Sequence, residues 1–404
     1  MNENYLIEPF INKKIILEKS ENIEINILKP IFEKDVLDTN FKNEGKGNGY
    51  YSIMKLEENK IRLYYRGGYD SNLSRDSYST ECTCYCESSD GLEFVRTDNH
   101  VLFQNGCSHN FFPFKFNNQF YGIGGTTLSI GGLKLLKFDK EWKIEKNFIS
   151  DKDILPTPHG NNYDSLNLVI YNPNDNLYWV YLRHNLKVGR SVQYSTTKDL
   201  KNFTDFKRIN INLYDGQIYA MNVCSYPNSK ILIAFPTIHF QENNYYKKSS
   251  FGYSTNGSDW EILDSNICNI KNSHMMCQGI IESKELNKIF CYPFFMKEGV
   301  LKCYSWDFHR IQEIKCEDLG KIKFGPYKFE KNKKIKINCR TIFDGFIKIN
   351  LISNNNLITT SKKIRGNLYF NDIIWNYNIE FDENLEYNLE FELYKSSLYS
   401  ILFE

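Results

Sequence analysis

Short runs rich in aromatic and aliphatic residues recur along the chain at near-regular intervals: IRLYYRGG from Ile61, QFYGIGG from Gln119, LYWVYLRH from Leu177, ILIAFPTIHF from Ile231 and IFCYPFF from Ile289. Upstream of each lies a more polar stretch of strand length: GYYSIMKL from Gly49, HNFFPFKF from His109, YDSLNLVIY from Tyr163, YAMNVCSY from Tyr219 and MMCQGIIES from Met275. The upstream starts fall 54–60 residues apart. Turn clusters such as NPND at Asn172 separate each polar stretch from its aromatic run. Downstream comes a repeated word: CYCESSDGLEF at Cys84, LLKFDKEWKI at Leu135, QYSTTKDLKNF at Gln193, GYSTNGSDWEI at Gly252 and CYSWDFHRIQEI at Cys303. Aligned on Ser88, Phe138, Ser195, Ser254 and Ser305, these words recur every 50–59 residues. A period of this size, with one four-stranded unit per copy, is the signature of a β-propeller. The pattern predicts five blades, each with an inner polar strand, an aromatic second strand, a third strand carrying the repeated word and a short edge strand.

In such a ring the first and third strands of a blade run in the same direction. The starts of the inner strands, the ends of the second strands and the starts of the third strands therefore gather on one face, around the channel mouth. The longest loops on that face are near Tyr69–Ser79 and Phe240–Lys248. After about Ile322 the pattern changes to alternating segments (KIKINCRTI, GFIKINLIS, LEYNLEFELY, SLYSILF) separated by Asn and Gly turns. The expected fold is all-β: a five-bladed β-propeller over 1–321 followed by a small C-terminal β-sandwich over 322–404. Residues 13–30 are expected to add a strand that closes the ring or packs on the sandwich.

Composition narrows the function classes. Hydrophobic residues make up 41% of the chain, charged residues 25%, and the net charge is +1, so no basic field exists to hold nucleic acid. Phe (29) and Tyr (28) are abundant, which suits strands and sugar-stacking surfaces. No apolar stretch is long enough to span a bilayer, so no membrane insertion is expected. MNENYLIEPFINKK lacks the basic start, apolar run and small-residue cleavage site of a signal peptide. With eleven cysteines, an odd number, and Cys82, Cys84 and Cys86 alternating along one strand, reduced thiols and a cytoplasmic location are expected. There is no phosphate-cradling Gly-rich loop between strand and helix and no nucleophile-elbow serine. Neither a cofactor nor a metal is expected.

The words YYRGG, ECTCYCESSDG, HNFFPF, YDSLNLVIYNPNDNLYWVYLRH, RSVQYSTTKDL with QIYAMNVCSYP, and the terminal LYSILF make the chain resemble a family of five-bladed propeller proteins related to glycoside hydrolase families 32 and 43. The similarity runs from about Tyr51 to the last residue. It implies the fold and a carbohydrate substrate.

Breaking or forming a glycosidic bond needs an acid for the leaving oxygen and a base or nucleophile opposite it. The resemblance implies acidic groups at the starts of inner strands, and Asp164, second in the YDSLN word, matches. Where those families carry an essential blade 1 aspartate, this chain has GNGYYSIM without an acid. Glu81, at the start of a third strand, and Asp70, in the preceding loop, are the substitutes, with Glu81 preferred because a strand holds a side chain more rigidly. His109 at a strand start can donate a proton or bond a sugar hydroxyl, with Asn110 beside it. Asp164, Glu81 and His109 are thus the catalytic candidates.

Arg66, Arg183 and Arg190 sit at strand ends near the mouth. They either bind an acidic sugar or a nucleotide-sugar diphosphate, or pair with the local carboxylates. Asp215 and Gln217 precede the blade 4 inner strand, Asp215 standing in for a Glu that many family members have at the position of Gly216. His239, with His159 and His274, also falls near the mouth. Glu87 is expected to be an ordinary partner of an arginine.

Three functions follow. One is a glycoside hydrolase-like enzyme acting on a glycosidic linkage, a furanosidic one included. The second is a glycosyltransferase, such as a furanosyltransferase using a nucleotide-sugar donor in surface or capsular polysaccharide assembly. The third is a sugar-binding propeller without catalysis.

Overall fold

Blade 1 shows how the alternating pattern becomes structure. Gly49–Glu57, Lys60–Gly68, Glu81–Ser88 and Val101–Phe103 pair in chain order as an antiparallel four-stranded sheet. Its second strand is buried along nearly its whole length, which is why that stretch reads as an unbroken aromatic-aliphatic run. The computed structural model describes residues 5–38, 49–68, 81–104, 106–125, 133–140, 142–147, 164–186, 189–213, 216–240, 246–270 and 274–404.

Two further four-stranded sheets start at Phe112 and Leu168, and two six-stranded sheets repeat the same walk from Gln217 and from His274. Five blades result, and the protein is all-β: among the described residues there is no α-helix. The ring closes between blades 5 and 1. Ser52 bridges Gln278 in parallel, the Ile53 N–H donates to the Gln278 carbonyl (2.9 Å), and the Gln278 N–H donates to the Tyr51 carbonyl (2.8 Å). Farther out, Tyr292 of blade 5 donates to the Gly91 carbonyl of blade 1 at 2.9 Å, and Tyr181 of blade 3 makes the equivalent bond to Gly257 of blade 4 at 2.8 Å.

The repeated word is a turn device. The Ser88 hydroxyl accepts from the Gly91 N–H, and Asp90 accepts from the N–H groups of Leu92 and Glu93. Ser254 and Asn256 do the same in blade 4, and Thr197 and Asp199 in blade 3. The blade 3 counterpart of Ser88 is therefore Thr197 rather than Ser195, a slip of two residues that alternation along a strand tolerates. Ser195 instead bonds the Thr204 carbonyl at 2.5 Å.

Three strand boundaries differ from the pattern. The blade 2 inner strand begins at Phe112, so His109 lies in a turn after the 3-10 segment Gly106–Ser108. The blade 3 inner strand begins at Leu168, so Asp164 lies in the irregular segment before it. In both places the polar residues are engaged by side chains rather than by a ladder. Gln217, in contrast, is the first residue of the blade 4 inner strand.

The chain divides into two compact units, residues 30–225 with 231–305, and residues 1–29 with 226–230 and 306–404. A cut between 321 and 322 falls inside the Gly320–Tyr327 strand. In the second unit nine strands form one hydrogen-bonded sheet. Ile16–Lys19 and Glu24–Ile27 belong to that sheet. The strand that completes blade 5 is Ile31–Asp38, antiparallel to Val300–Asp307. The two long strands of the nine-stranded sheet, Ile335–Ser353 and Tyr387–Phe403, change register between Thr341 and Phe346. Residues on both sides of this break, including Ile337, Ile349, Phe391 and Leu398, share one core.

No helix among the described residues is long and apolar enough to cross a membrane. The cysteines are buried apart from the half-buried Cys224, and burial pushes the Cys107 thiol up to about 11.

One close approach ties packing to the site. A Cβ on Gly122 would lie 2.1 Å from the Phe111 ring, which packs edge-on to Phe103 and Phe138 directly after His109 and Asn110. Gly122→Ala is expected to cost about 1–3 kcal/mol by overpacking and to lower the thermal midpoint. An unchanged midpoint would show that Phe111 yields freely.

Candidate active site

The irregular segments that precede the blade 2 and blade 3 inner strands bring His109 and Asp164 together at one end of blade 1. The His109 carbonyl accepts from the Gly125 N–H at 2.8 Å, which pins the turn to its own blade. Asn110 follows with φ of 54°, a left-handed conformation that asparagine tolerates better than most residues. Such backbone strain is held only where surrounding contacts over-determine it, and the contacts here are specific. Asn110 Nδ2 donates to Asp164 Oδ1 at 3.1 Å, while its Oδ1 accepts from Arg66 at 3.2 Å.

His109 sits between two carboxylates. Nδ1 lies 2.8 Å from Glu81 Oε2, and Nε2 lies 3.0 Å from Asp164 Oδ1. A carboxylate only accepts, so the ring donates from both nitrogens and is an imidazolium. Burial works against that charge, but the bonds to Asp164 and Glu81 outweigh it, and the pKa of His109 is held above the usual histidine range. Arg66 Nη1 approaches Glu81 at 3.4 Å. The same Nη1 lies 3.3 Å from His109 Nδ1, so Arg66, Glu81, His109 and Asp164 form a compact charge cluster in which Glu81 faces both cations.

Its two acids are not equivalent. The Glu81 side chain is 4% exposed, whereas that of Asp164 is 40% exposed. Burial pushes Asp164 up, but the bond and charge of His109, then Arg183 and Asn110, bring it well below the usual carboxylate range. Asp164 is thus an ionised, accessible carboxylate, and Glu81 holds the imidazolium from behind.

Beside this cluster stands a pair of tyrosines. Tyr219 falls at a register shift between Ile218 and Ala220, and Tyr50 at one between Gly49 and Ser52 with φ of 55°. Bulges of this kind re-aim a side chain, and the two hydroxyls meet at 3.1 Å, Tyr50 donating. Burial raises Tyr50 well above the usual phenol value. For Tyr219 burial raises, but Lys247, the bond from Tyr50 and Arg183 prevail, and its phenol is lowered.

Cations surround Tyr219. Lys247 Nζ lies 3.4 Å from the ring centroid, and the guanidinium carbons of Arg183 and Arg190 lie at 5.0 and 5.3 Å. Arg183 also donates to the Tyr219 carbonyl at 3.0 Å, as does the Ser165 hydroxyl at 3.3 Å. Gln217 accepts from the Arg190 backbone N–H at 3.2 Å, and its side chain covers Gly189, where a Cβ would clash at 2.8 Å. His239 Nδ1 lies 3.5 Å from Arg190, and burial, Lys247 and Arg190 all lower its pKa.

The sequence candidates therefore fall into two neighbouring groups. Arg66, Glu81, His109, Asn110 and Asp164 form the charge cluster, and Arg183, Arg190, Gln217 and His239 gather around Tyr219. Of the two readings of the arginines, carboxylate pairing describes Arg66, while among the described residues no salt bridge engages Arg183 or Arg190. Glu87 pairs with Arg62 at 2.9 Å. His274 is fully buried, its Nε2 receiving the Ser249 N–H at 3.4 Å. Asp70, Asp215 and His159 lie outside the described residues, as do the Tyr69–Ser79 loop and residues 241–245. Among the described residues no group of three His, Cys, Asp or Glu is arranged to hold a metal ion.

Sequence reasoning missed Tyr50, Tyr219 and Lys247 as site residues. The available signal was a tyrosine near the start of the inner-strand words of blades 1 and 4, GYYSIM and YAMNV. Cavities elsewhere, one of about 650 Å³ beside Leu213, Phe240 and Ile262 and one of about 400 Å³ beside Lys333, Trp375 and Phe381, contain none of these groups.

No protein-family model matches the chain, and no curated protein matches its sequence. Several solved structures are similar to it. A glycoside hydrolase family 43 arabinoxylan arabinofuranohydrolase from Bacillus subtilis is 10% identical, with 91% of this chain and 97% of that one covered and a TM-score of 0.45. A β-1,2-mannobiose phosphorylase from Listeria innocua is 12% identical, with 77% and 96% covered and a TM-score of 0.45. A protein described as a glycoside hydrolase is 11% identical, with 69% and 92% covered and a TM-score of 0.49.

Proposed function

We propose that the protein is a carbohydrate-active enzyme of the glycoside hydrolase kind, acting on a glycosidic linkage at the rim where blades 1 to 4 bring these side chains together. The observation that carries the proposal is Asp164: an accessible carboxylate, ionised by its neighbours and fixed in place by His109 and Asn110. Glycosidic cleavage passes through a transition state with positive charge on the sugar ring, and a fixed anion beside it lowers that barrier. An acid held this far below the usual range does not deliver a proton at neutral pH, so its role is nucleophile or charge stabiliser. Glu81 is enclosed behind His109 and acts as a positioning residue, through the imidazolium.

The second reading is sugar transfer from a nucleotide-sugar donor, the furanosyl case included. Arg183 and Arg190 favour it, because they bring two guanidinium groups to the Tyr219 ring, and among the described residues neither is held in a salt bridge. The test is incubation with a panel of aryl glycosides, furanosides included, and with a panel of nucleotide sugars, comparing wild type with Asp164→Asn. Cleavage or transfer that depends on Asp164 is expected. Turnover unaltered in the variant would remove Asp164 from the mechanism, and sugar binding without turnover on either panel would leave a binding propeller.

A further inference from the structure

Arg183 carries a full charge where charge is costly. The residue is 6% exposed, and its Nη2 donates to the Tyr219 carbonyl. Its Nε is buried with no hydrogen-bond partner among the described residues. A guanidinium has five N–H donors, and a buried one is stabilised only when paired or well bonded. The anion acting on it is Asp164, already bonded to His109 and Asn110.

Arg190 reaches the same place from the neighbouring strand. Arg183 pairs with Val192 and Asn185 with Arg190 across the Leu177–Leu186 and Gly189–Thr197 strands, so both arginines lie on one face of blade 3. Lys247 brings a third cation to the same tyrosine. Like charges gathered round one ring repel one another, and an anion placed among them reverses the sign of the interaction.

We propose that Arg183, Arg190 and Lys247 form a subsite for the oxyanion of an acidic substrate, a sugar carboxylate or a sugar-linked phosphate, held beside Tyr219 and next to Asp164. The planar guanidinium fork suits either group through paired N–H bonds. This inference rests on the reading of the site as carbohydrate-active and adds the charge of the substrate to it.

Calorimetric titration of the full chain tests it with four probes: glucuronate for the carboxylate, uridine diphosphate for the sugar-linked phosphate, inorganic phosphate for the free ion, and glucose as the neutral control. Wild type is expected to bind glucuronate or uridine diphosphate more tightly than glucose, with an affinity that falls as salt is raised. Tighter binding of the one or the other identifies the source of the oxyanion. Arg183→Gln and Arg190→Gln are each expected to weaken that anion at least about tenfold and to leave glucose unchanged. Arg183 is buried, so if its variant fails to fold, the half-buried Arg190 carries the test.

Equal affinity for charged and neutral probes would overturn the subsite, as would anion binding that survives the Arg190 substitution, and so would inorganic phosphate binding as tightly as either larger probe in every variant. The proposed chemistry fails separately. Anion binding that depends on Arg190 in a protein inert toward every glycoside and nucleotide sugar would uphold the subsite and remove the reaction.

Discussion

Asp164→Asn is expected to lower kcat about 10²–10³-fold on whichever glycoside or nucleotide sugar the wild-type protein turns over, the range seen when one preorganised electrostatic partner of a transition state is removed. The amide has the shape of the carboxylate. Its oxygen still accepts from His109 Nε2 and Asn110 Nδ2, now at 3.0 and 3.1 Å, so the fold and the position of the side chain are retained. What is lost is the charge, and charge matters most when the sugar ring becomes positive. The loss should therefore fall on kcat rather than on KM. A rise in KM alone, with kcat unchanged, would mean that Asp164 binds the sugar without taking part in its chemistry.

The second large effect is on stability. Glu81→Gln is expected to cost roughly 3–5 kcal/mol, the range for breaking a buried ion pair by removing one partner. Glu81 is the anion facing two cations, 3.4 Å from Arg66 and 2.8 Å from His109. Without its charge, the buried contact between Arg66 Nη1 and His109 Nδ1 at 3.3 Å is no longer compensated from that side, and His109 is driven toward its neutral form.

A pH signature separates this from simple loss of packing. His109 has a folded pKa above its unfolded value of about 6.5. Its contribution is fully present below that value and declines as pH rises through the folded one, because the folded state then holds a proton that the unfolded state has released. Wild type should lose stability from about pH 6.5 upward, and Glu81→Gln should lose less of it over the same interval. Asp164 has the opposite sense. Its lowered pKa gives stability that is present above about pH 3.9 and is lost as pH falls further. Urea titrations from pH 5 to 9 read the alkaline arm, and a slope identical in the two proteins would show that Glu81 does not hold the His109 proton.

Much of this arrangement was legible in the chain. The 54–60-residue spacing of the inner-strand words counts the blades, because each blade buries one aromatic strand and repeats one turn. Strand ends and starts of successive blades share a face of a closed ring. That is why Arg66, Glu81, His109 and Asp164, separated by up to 98 residues (Arg66 to Asp164), group together on the pattern of the chain alone. The repeated Ser-x-Asp word was legible as a turn but not as a register, since a two-residue slip preserves the alternation and Thr197 serves as well as Ser195.

What alternation by itself determined about this protein is its class and its blade count, because these follow from local periodicity and chain direction. Only the tertiary structure decided that His109 bridges two acids, that Glu81 is enclosed while Asp164 is open, and that bulges turn Tyr50 and Tyr219 toward each other. It also decided that Ile31–Asp38 completes blade 5. Burial, bulges and pairings between segments some 270 residues apart (Ile31 to Val300) depend on which surface arrives opposite, and a strand's own residues do not carry that information.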